Sequence, residues 1–293
     1  MTTTTTKSTK KLEMACDQVD GADVLSQAAY RRLQETEGGP AFFNDWVRAL
    51  FIHYEVDAQQ LQKLVPFELD LRDGKAYVSL VAFSIKRLRP SMGGRITEWL
   101  SRPVSNHGFF NVRTYVKHEG EPGIQFLSEW LSNRLSVLIG PRTFGLPYRY
   151  GKLDYAHDHE MDRGGGEALI TGNVTPVPGN GYVQLRYETA VDVDADYQPC
   201  EAGTLDAFLL ERYTAYTCRR GVKRRFRIAH DPWPAVAVDA QVFDDGLLAL
   251  SGDWAEDAKQ VAANYTPGVK DIWVGKPACI AGKHCGRVWH DAR

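Results

Sequence analysis

Arg113 is the residue of this chain best placed by type and setting to fix an anion. It lies in Phe109-Phe110-Asn111-Val112-Arg113-Thr114-Tyr115-Val116-Lys117. Alternation there puts Phe109, Asn111, Arg113 and Tyr115 on one strand face and Phe110, Val112, Thr114 and Val116 on the other. A guanidinium on such a face can grip a carboxylate or phosphate as a bidentate fork, with Asn111 beside it. The same residues fit a structural role in which Arg113 pairs with a buried carboxylate, Glu129 or Glu211. Either way the guanidinium needs a partner, because long charged side chains are seldom buried unpaired.

Other chemistry-bearing groups lie further along. Glu211-Arg212-Tyr213 closes a predicted helix, and Glu211 is the best general base available, with a structural salt bridge as its other reading. Adjacent helical side chains point in different directions, so the three are expected to stand apart. His230-Asp231-Pro232-Trp233-Pro234 is a rigid turn, since each proline fixes its own φ and pushes its predecessor toward extended geometry. It can aim His230 and Trp233 at a cavity mouth, or bury a hydrogen-bonded histidine.

Two groups carry metal-binding side chains: His157-Asp158-His159-Glu160, and Cys279 with His284, Cys285 and His290. Neither has the spacing of a common structural zinc site, and there is no Cys-x-x-Cys, so no metal or cofactor is expected. Arg219, Arg220, Lys223, Arg224, Arg225 and Arg227 form a basic patch. Lys223, Arg225 and Arg227 share a face if extended, for an anion or for solvent.

The elements that must position these groups are mostly strands. Asp73-Gly74 signals a turn before a near-continuous apolar run, Lys75 to Phe83, which reads as a strand buried on both sides. Glu119-Gly120-Glu121-Pro122-Gly123 closes a hairpin into a strand from Ile124 to Trp130. Tyr182 to Val193 and Val222 to Ala229 are further strands. Asp57 to Leu64 is a short helix, Thr204 caps a helix running to Tyr213, and Asn133 to Phe144 fits helix or strand by periodicity alone. Many strands with few helices favour a closed or strongly curved antiparallel sheet, which leaves few exposed edges.

Composition narrows the function class. With 43% hydrophobic residues, 25% charged residues and a net charge of -2, the 293-residue chain carries no global field for nucleic acid. Met1 to Lys11 lacks the apolar stretch of a secretory signal, and no segment is apolar for long enough to span a bilayer, which implies a cytoplasmic protein. Five scattered cysteines suit reduced thiols better than a disulfide framework.

Six stretches taken in order carry a resemblance: His53-Tyr54-Glu55-Val56, Leu64 to Asp70, Asn111 to Val116, Leu146-Pro147-Tyr148, Leu210 to Tyr213, and His230 to Pro234. Together they make the chain resemble the YqjF-like family of the acetoacetate-decarboxylase-like superfamily. The resemblance implies a β-barrel or cone around a small-molecule cavity, favours helix for Asn133 to Phe144, and implies no settled activity. In the decarboxylases a lysine after a proline forms a Schiff base with the keto acid. Here Pro147 is followed by Tyr148 and Arg149, and a guanidinium is no amine nucleophile. Tyr148 beside Arg149 could be an acid or base, its pKa lowered by the cation, or a packing tyrosine beside a surface arginine. A second departure is Phe109, where relatives carry a glutamate.

The expected fold is therefore α+β, mainly β: a closed or strongly curved antiparallel β-barrel with a few flanking helices. Residues 1–40 form a peripheral arm, 41–254 the barrel and 255–293 an extension packed on or appended to it. The expected function is binding of a small anionic or carbonyl metabolite, lyase-like without an imine-forming lysine, or else purely non-catalytic. Tyr148, Glu211 and His230 are the candidate catalytic groups, and Asn111, Arg113, Arg149 and Trp233 the candidate ligand contacts. The partner is a small molecule, not nucleic acid or membrane, with homo-oligomerisation left open.

Overall fold

A computed structural model describes residues 39–91, 102–157, 166–179 and 183–280. The arm expected over residues 1–40 thus lies almost wholly outside the described residues.

Strand β1 (Pro40–Val56) pairs antiparallel with β3 (Ala76–Pro90) on one side and β14 (Lys259–Gly275) on the other. β3 pairs with β4 (His107–His118), and β4 with β5 (Glu121–Leu131). Their turn has positive φ at both Glu119 and Gly120, the twist that suits a tight hairpin. β5 then runs parallel to β10 (Thr214–Arg219), whose hairpin partner β11 (Val222–Ala229) pairs with β14. The pairings therefore make a circuit from β1 through β3, β4, β5, β10, β11 and β14 back to β1.

A second arm of sheet leaves β5 through a parallel pairing with β6 (Tyr148–Ala156) and continues antiparallel through β7 (Glu167–Pro176), β8 (Leu185–Asp192) and β13 (Ala240–Asp244). Short strands β2 (Glu68–Leu69), β9 (Gln198–Pro199), β12 (Pro234–Ala237) and β15 (Ala278–Cys279) attach to neighbouring strands. The chain is mainly β, as expected, but the two parallel pairings of β5 depart from an all-antiparallel sheet. Both join strands separated by a helix or a long connection, which parallel pairing requires.

The helices are short and begin as the sequence predicts. Asp57 caps α1 (Ala58–Leu64), accepting from Gln60 N, and Asn133 caps α2 (Arg134–Thr143), accepting from Ser136 N. Thr204 caps α3 (Leu205–Leu210), but α3 stops three residues earlier than expected and leaves Glu211 to Tyr213 outside the helix. No helix among the described residues is long and apolar enough to cross a membrane.

Strand alternation sorts the interior into two apolar clusters. One contains Leu50, Ile52, Leu80, Phe110, Val112 and Trp130. The other, on the opposite face, contains Phe51, Val81, Phe83, Phe109, Leu131 and Trp233. β14 falls in the stretch expected as a C-terminal extension. It has paired neighbours on both sides, so the boundary at residue 255 has no counterpart in the sheet. Cys200 and Cys279 are free, whereas Cys218 is disulfide-bonded, a departure from the reduced thiols expected.

Candidate ligand-binding cavity

On the side of the second cluster lies a cavity of about 290 Å³. β4 contributes His107, Phe109, Asn111 and Arg113, every second residue, as pleating dictates. β5 contributes Ile124 and Phe126, then Glu129 and Leu131, although these two sets have opposite parity. A bulge reconciles them: Val112 pairs with Ser128 and Arg113 with Phe126, so Leu127 is skipped and the facing side of β5 switches. Gly140 and Thr143 of α2, Tyr148 of β6, and Trp46, Phe51 and Trp233 complete much of the wall.

Arg113 is 5% exposed and among the described residues makes no ion pair. One guanidinium nitrogen donates to Leu209 O at 2.9 Å, and its carbon lies 5.3 Å from the centre of the Phe51 ring. Nε has no hydrogen-bond partner. Neither carboxylate considered for it, Glu129 or Glu211, takes the role. Behind it, Ser79 Oγ is hydrogen-bonded to His53 Nδ1 at 2.6 Å and to Tyr115 OH at 2.5 Å, and His53 Nε2 to Asn264 Oδ1 at 3.1 Å. Burial, with the positive charge of Arg113, lowers the His53 pKa to about 3, so Arg113 is the cation of this interior.

Glu129 faces Asn111 across the β4–β5 ladder and Tyr148 across the β5–β6 ladder. It is 2% exposed, and burial pushes its pKa well above the ordinary carboxyl range, in favour of the protonated form. Glu129 Oε2 and Asn111 Oδ1 both lack hydrogen-bond partners. The Tyr148 phenol is pushed well up by burial and by Glu129, the reverse of the lowering expected from Arg149. Arg149, next along the strand, points to the opposite face and lies 5.7 Å over Trp130, in the other core.

Tyr148, Asn111, Arg113 and Trp233 thus line one cavity, and Glu211, His230 and Arg149 do not. Glu211 Oε1 accepts from Trp233 N at 2.8 Å, and its other oxygen from Tyr213 OH. The expected separation of Glu211 and Tyr213 fails because α3 has ended, and the turn at Glu211, where Arg212 N bonds Leu210 O at 3.1 Å, replaces helical geometry. His230 is 1% exposed, stacked on Tyr213 at 4.8 Å and packed against Trp233 at 5.2 Å, behind the aromatic wall. Its Nδ1 is hydrogen-bonded to Asp231 O at 2.6 Å, and burial lowers its pKa. Among the described residues no lysine lines the cavity. Glu129 was legible in the sequence only as a structural counter-ion, since nothing local marks the bulge that turns it inward.

His159, His284, Cys285 and His290 lie outside the described residues, and no group of three or more metal-binding side chains occurs within them. His157 has both ring nitrogens engaged, by Arg48 O at 3.0 Å and Tyr187 OH at 2.9 Å. The basic patch is dispersed. Arg225 and Arg227 pair with Glu121, and Lys223 donates to Pro66 O at 2.8 Å. A larger, open hollow on β6, β7 and β8 is lined by Asp154, Asn173, Arg186 and Glu188.

The family model DUF2071, described as an uncharacterised conserved protein (COG2071), matches residues 44–270. The uncharacterised protein YqjF of Bacillus subtilis (strain 168) is 32% identical over 206 residues, covering 67% of this chain and 76% of YqjF. Among solved structures, the acetoacetate decarboxylase of Legionella pneumophila aligns with a TM-score of 0.54 at 13% identity, covering 90% of this chain and 93% of that one. An acetoacetate decarboxylase-like enzyme from Sphingomonas wittichii RW1 aligns with a TM-score of 0.57 at 15% identity, over 83% and 94% of the two chains. The enduracididine biosynthesis enzyme MppR, complexed with pyruvate, aligns at 0.56 and 12% identity, over 84% and 93%. At these identities the likeness is one of fold.

Proposed function

The chain belongs to the DUF2071 family and has an acetoacetate-decarboxylase-like fold, and from that premise we propose that it binds a small carboxylate in the cavity within its strand circuit, which acts as a barrel. The observation that carries this reading is Arg113, a buried guanidinium of the cavity wall that among the described residues makes no ion pair and leaves Nε without a hydrogen-bond partner. A buried charge without a counter-ion is costly, and a ligand carboxylate would supply the missing charge as a hydrogen-bonded pair. Most of the wall is apolar and aromatic, the usual lining of a small-molecule site with a few fixed polar groups.

The distribution of titratable groups favours binding over the lyase alternative. Glu211 and His230 lie outside the cavity, burial raises the pKa values of Tyr148 and Glu129 and so opposes their ionisation, and an imine-forming amine has no candidate among the lining residues. Isothermal titration of the full chain with a panel of small carboxylates tests the reading. Binding that Arg113→Met weakens about a hundredfold supports it, by analogy with the loss of a buried charge-assisted pair. Equal binding by wild type and Arg113→Met, or no binding across the panel, refutes it.

A further inference from the structure

The unpartnered atoms of the cavity say more about its ligand than Arg113 does. Asn44, His107, Asn111 and Glu129 all line the same space, and in each of them one buried polar atom, Asn44 Oδ1, His107 Nε2, Asn111 Oδ1 and Glu129 Oε2, has no hydrogen-bond partner among the described residues. Two are amide oxygens, which only accept. His107 makes a third acceptor. Its Nδ1 is hydrogen-bonded to Val104 O at 3.1 Å and so carries the proton, and burial lowers the ring pKa to about 4, leaving Nε2 with a free lone pair.

A ligand that satisfies this lining must bring hydrogen-bond donors as well as a negative charge. A keto acid brings none, since its carbonyl and carboxylate oxygens only accept. A hydroxyl group both donates and accepts, and Asn111 and Glu129 stand directly opposite one another across the ladder. Asn111 lies two residues from Arg113 on the same strand face, a separation of about 7 Å along the strand.

We propose that the ligand is a small hydroxy acid, its carboxylate on Arg113 and its hydroxyl between Asn111 Oδ1 and the Glu129 carboxyl. This rests on the carboxylate reading above and adds the chemistry of the second group. Glu129, in the protonated form that burial favours, donates to the hydroxyl oxygen while Asn111 takes the hydroxyl hydrogen, so one ligand group satisfies two stranded atoms. Asn44 and His107 offer further acceptors to a ligand with a second hydroxyl.

The test is calorimetric titration of the full chain with pairs that differ only in oxidation at one carbon: lactate and pyruvate, 3-hydroxybutyrate and acetoacetate, 4-hydroxyvalerate and levulinate. At least one hydroxy acid is expected to bind about tenfold or more tighter than its keto partner, the scale set by leaving a buried polar group unsatisfied. Asn111→Leu is expected to erase that preference, so that each hydroxy acid binds no tighter than its keto partner. The wild-type ratio needs no variant and stands even if Asn111→Leu misfolds. Keto acids binding as tightly as their hydroxy partners, with loss in Arg113→Met, would overturn this inference and leave the carboxylate reading intact. Failure of every compound to bind would overturn both.

Discussion

The ring of Tyr148 occupies the space that a side chain at residue 140 would need: a Cβ on Gly140 would stand 2.2 Å from Tyr148 Cε2. The absence of one methyl group on α2 therefore fixes where the phenol sits in the cavity wall. Gly140→Ala should destabilise the protein by about 1–3 kcal/mol, as overpacking does, although alanine is the better helix former. Urea unfolding of Gly140→Ala, Tyr148→Ala and the double variant tests this. A coupling of at least about 0.5 kcal/mol, with the double variant recovering the loss, is expected for residues in contact.

Glu129 makes stability fall as pH rises. Its folded pKa is raised above the ordinary glutamate value of 4.5, so between that value and the folded pKa the native state holds a proton that the unfolded chain has released. The slope of unfolding free energy against pH there is negative, at most about 1.4 kcal/mol per pH unit for one group. Glu129→Gln should make the curve above pH 4.5 less negative by up to that amount, and an unchanged curve would show the carboxyl ionised in the fold.

His53 and His157 act in the opposite sense. Burial lowers their folded pKa values from 6.5 to about 3 and about 4, so they contribute stability that is full above pH 6.5 and is lost as the pH falls below it. In that window the unfolded chain binds the protons first. His157→Gln should make unfolding free energy less sensitive to acid between pH 6.5 and 4 by up to about 1.4 kcal/mol per pH unit, checked by urea titration at half-unit steps.

Ser79 joins His53 to Tyr115 through two buried hydrogen bonds. Ser79→Ala strands His53 Nδ1, while Tyr115 OH keeps its bond to Leu209 O at 2.8 Å, and should cost about 1–3 kcal/mol, the price of leaving a buried polar group unsatisfied. A melting temperature equal to that of wild type would mean that neither bond contributes.

Much of the wall of β4 was legible because Phe109 to Lys117 alternates strictly, and period two assigns faces without knowledge of neighbours. Thr204 announced a helix start through local capping chemistry. Glu129 was not legible as a cavity residue. β5 is buried along almost all of its length, so apolarity does not distinguish its faces, and the bulge at Leu127 reverses them midway. β14 was hidden for another reason. Pro267-Gly268 reads as a break, whereas Gly268, at φ +118, lets the strand pass so close to β1 that a Cβ there would meet Trp46 O at 2.1 Å. The parallel contacts of β5 with β6 and β10 follow from distant segments and leave no local signal.

The strict alternation of β4 interleaves two instructions in one stretch of chain. Phe110, Val112 and Val116 hold the sheet to one core, while Phe109, Asn111 and Arg113 face the cavity. Replacing an odd-numbered residue changes what the cavity admits and leaves the packing of the even-numbered ones in place. Relatives built on the same strands can therefore diverge in ligand by a few point changes, each tolerated on its own, without passing through an unfolded ancestor.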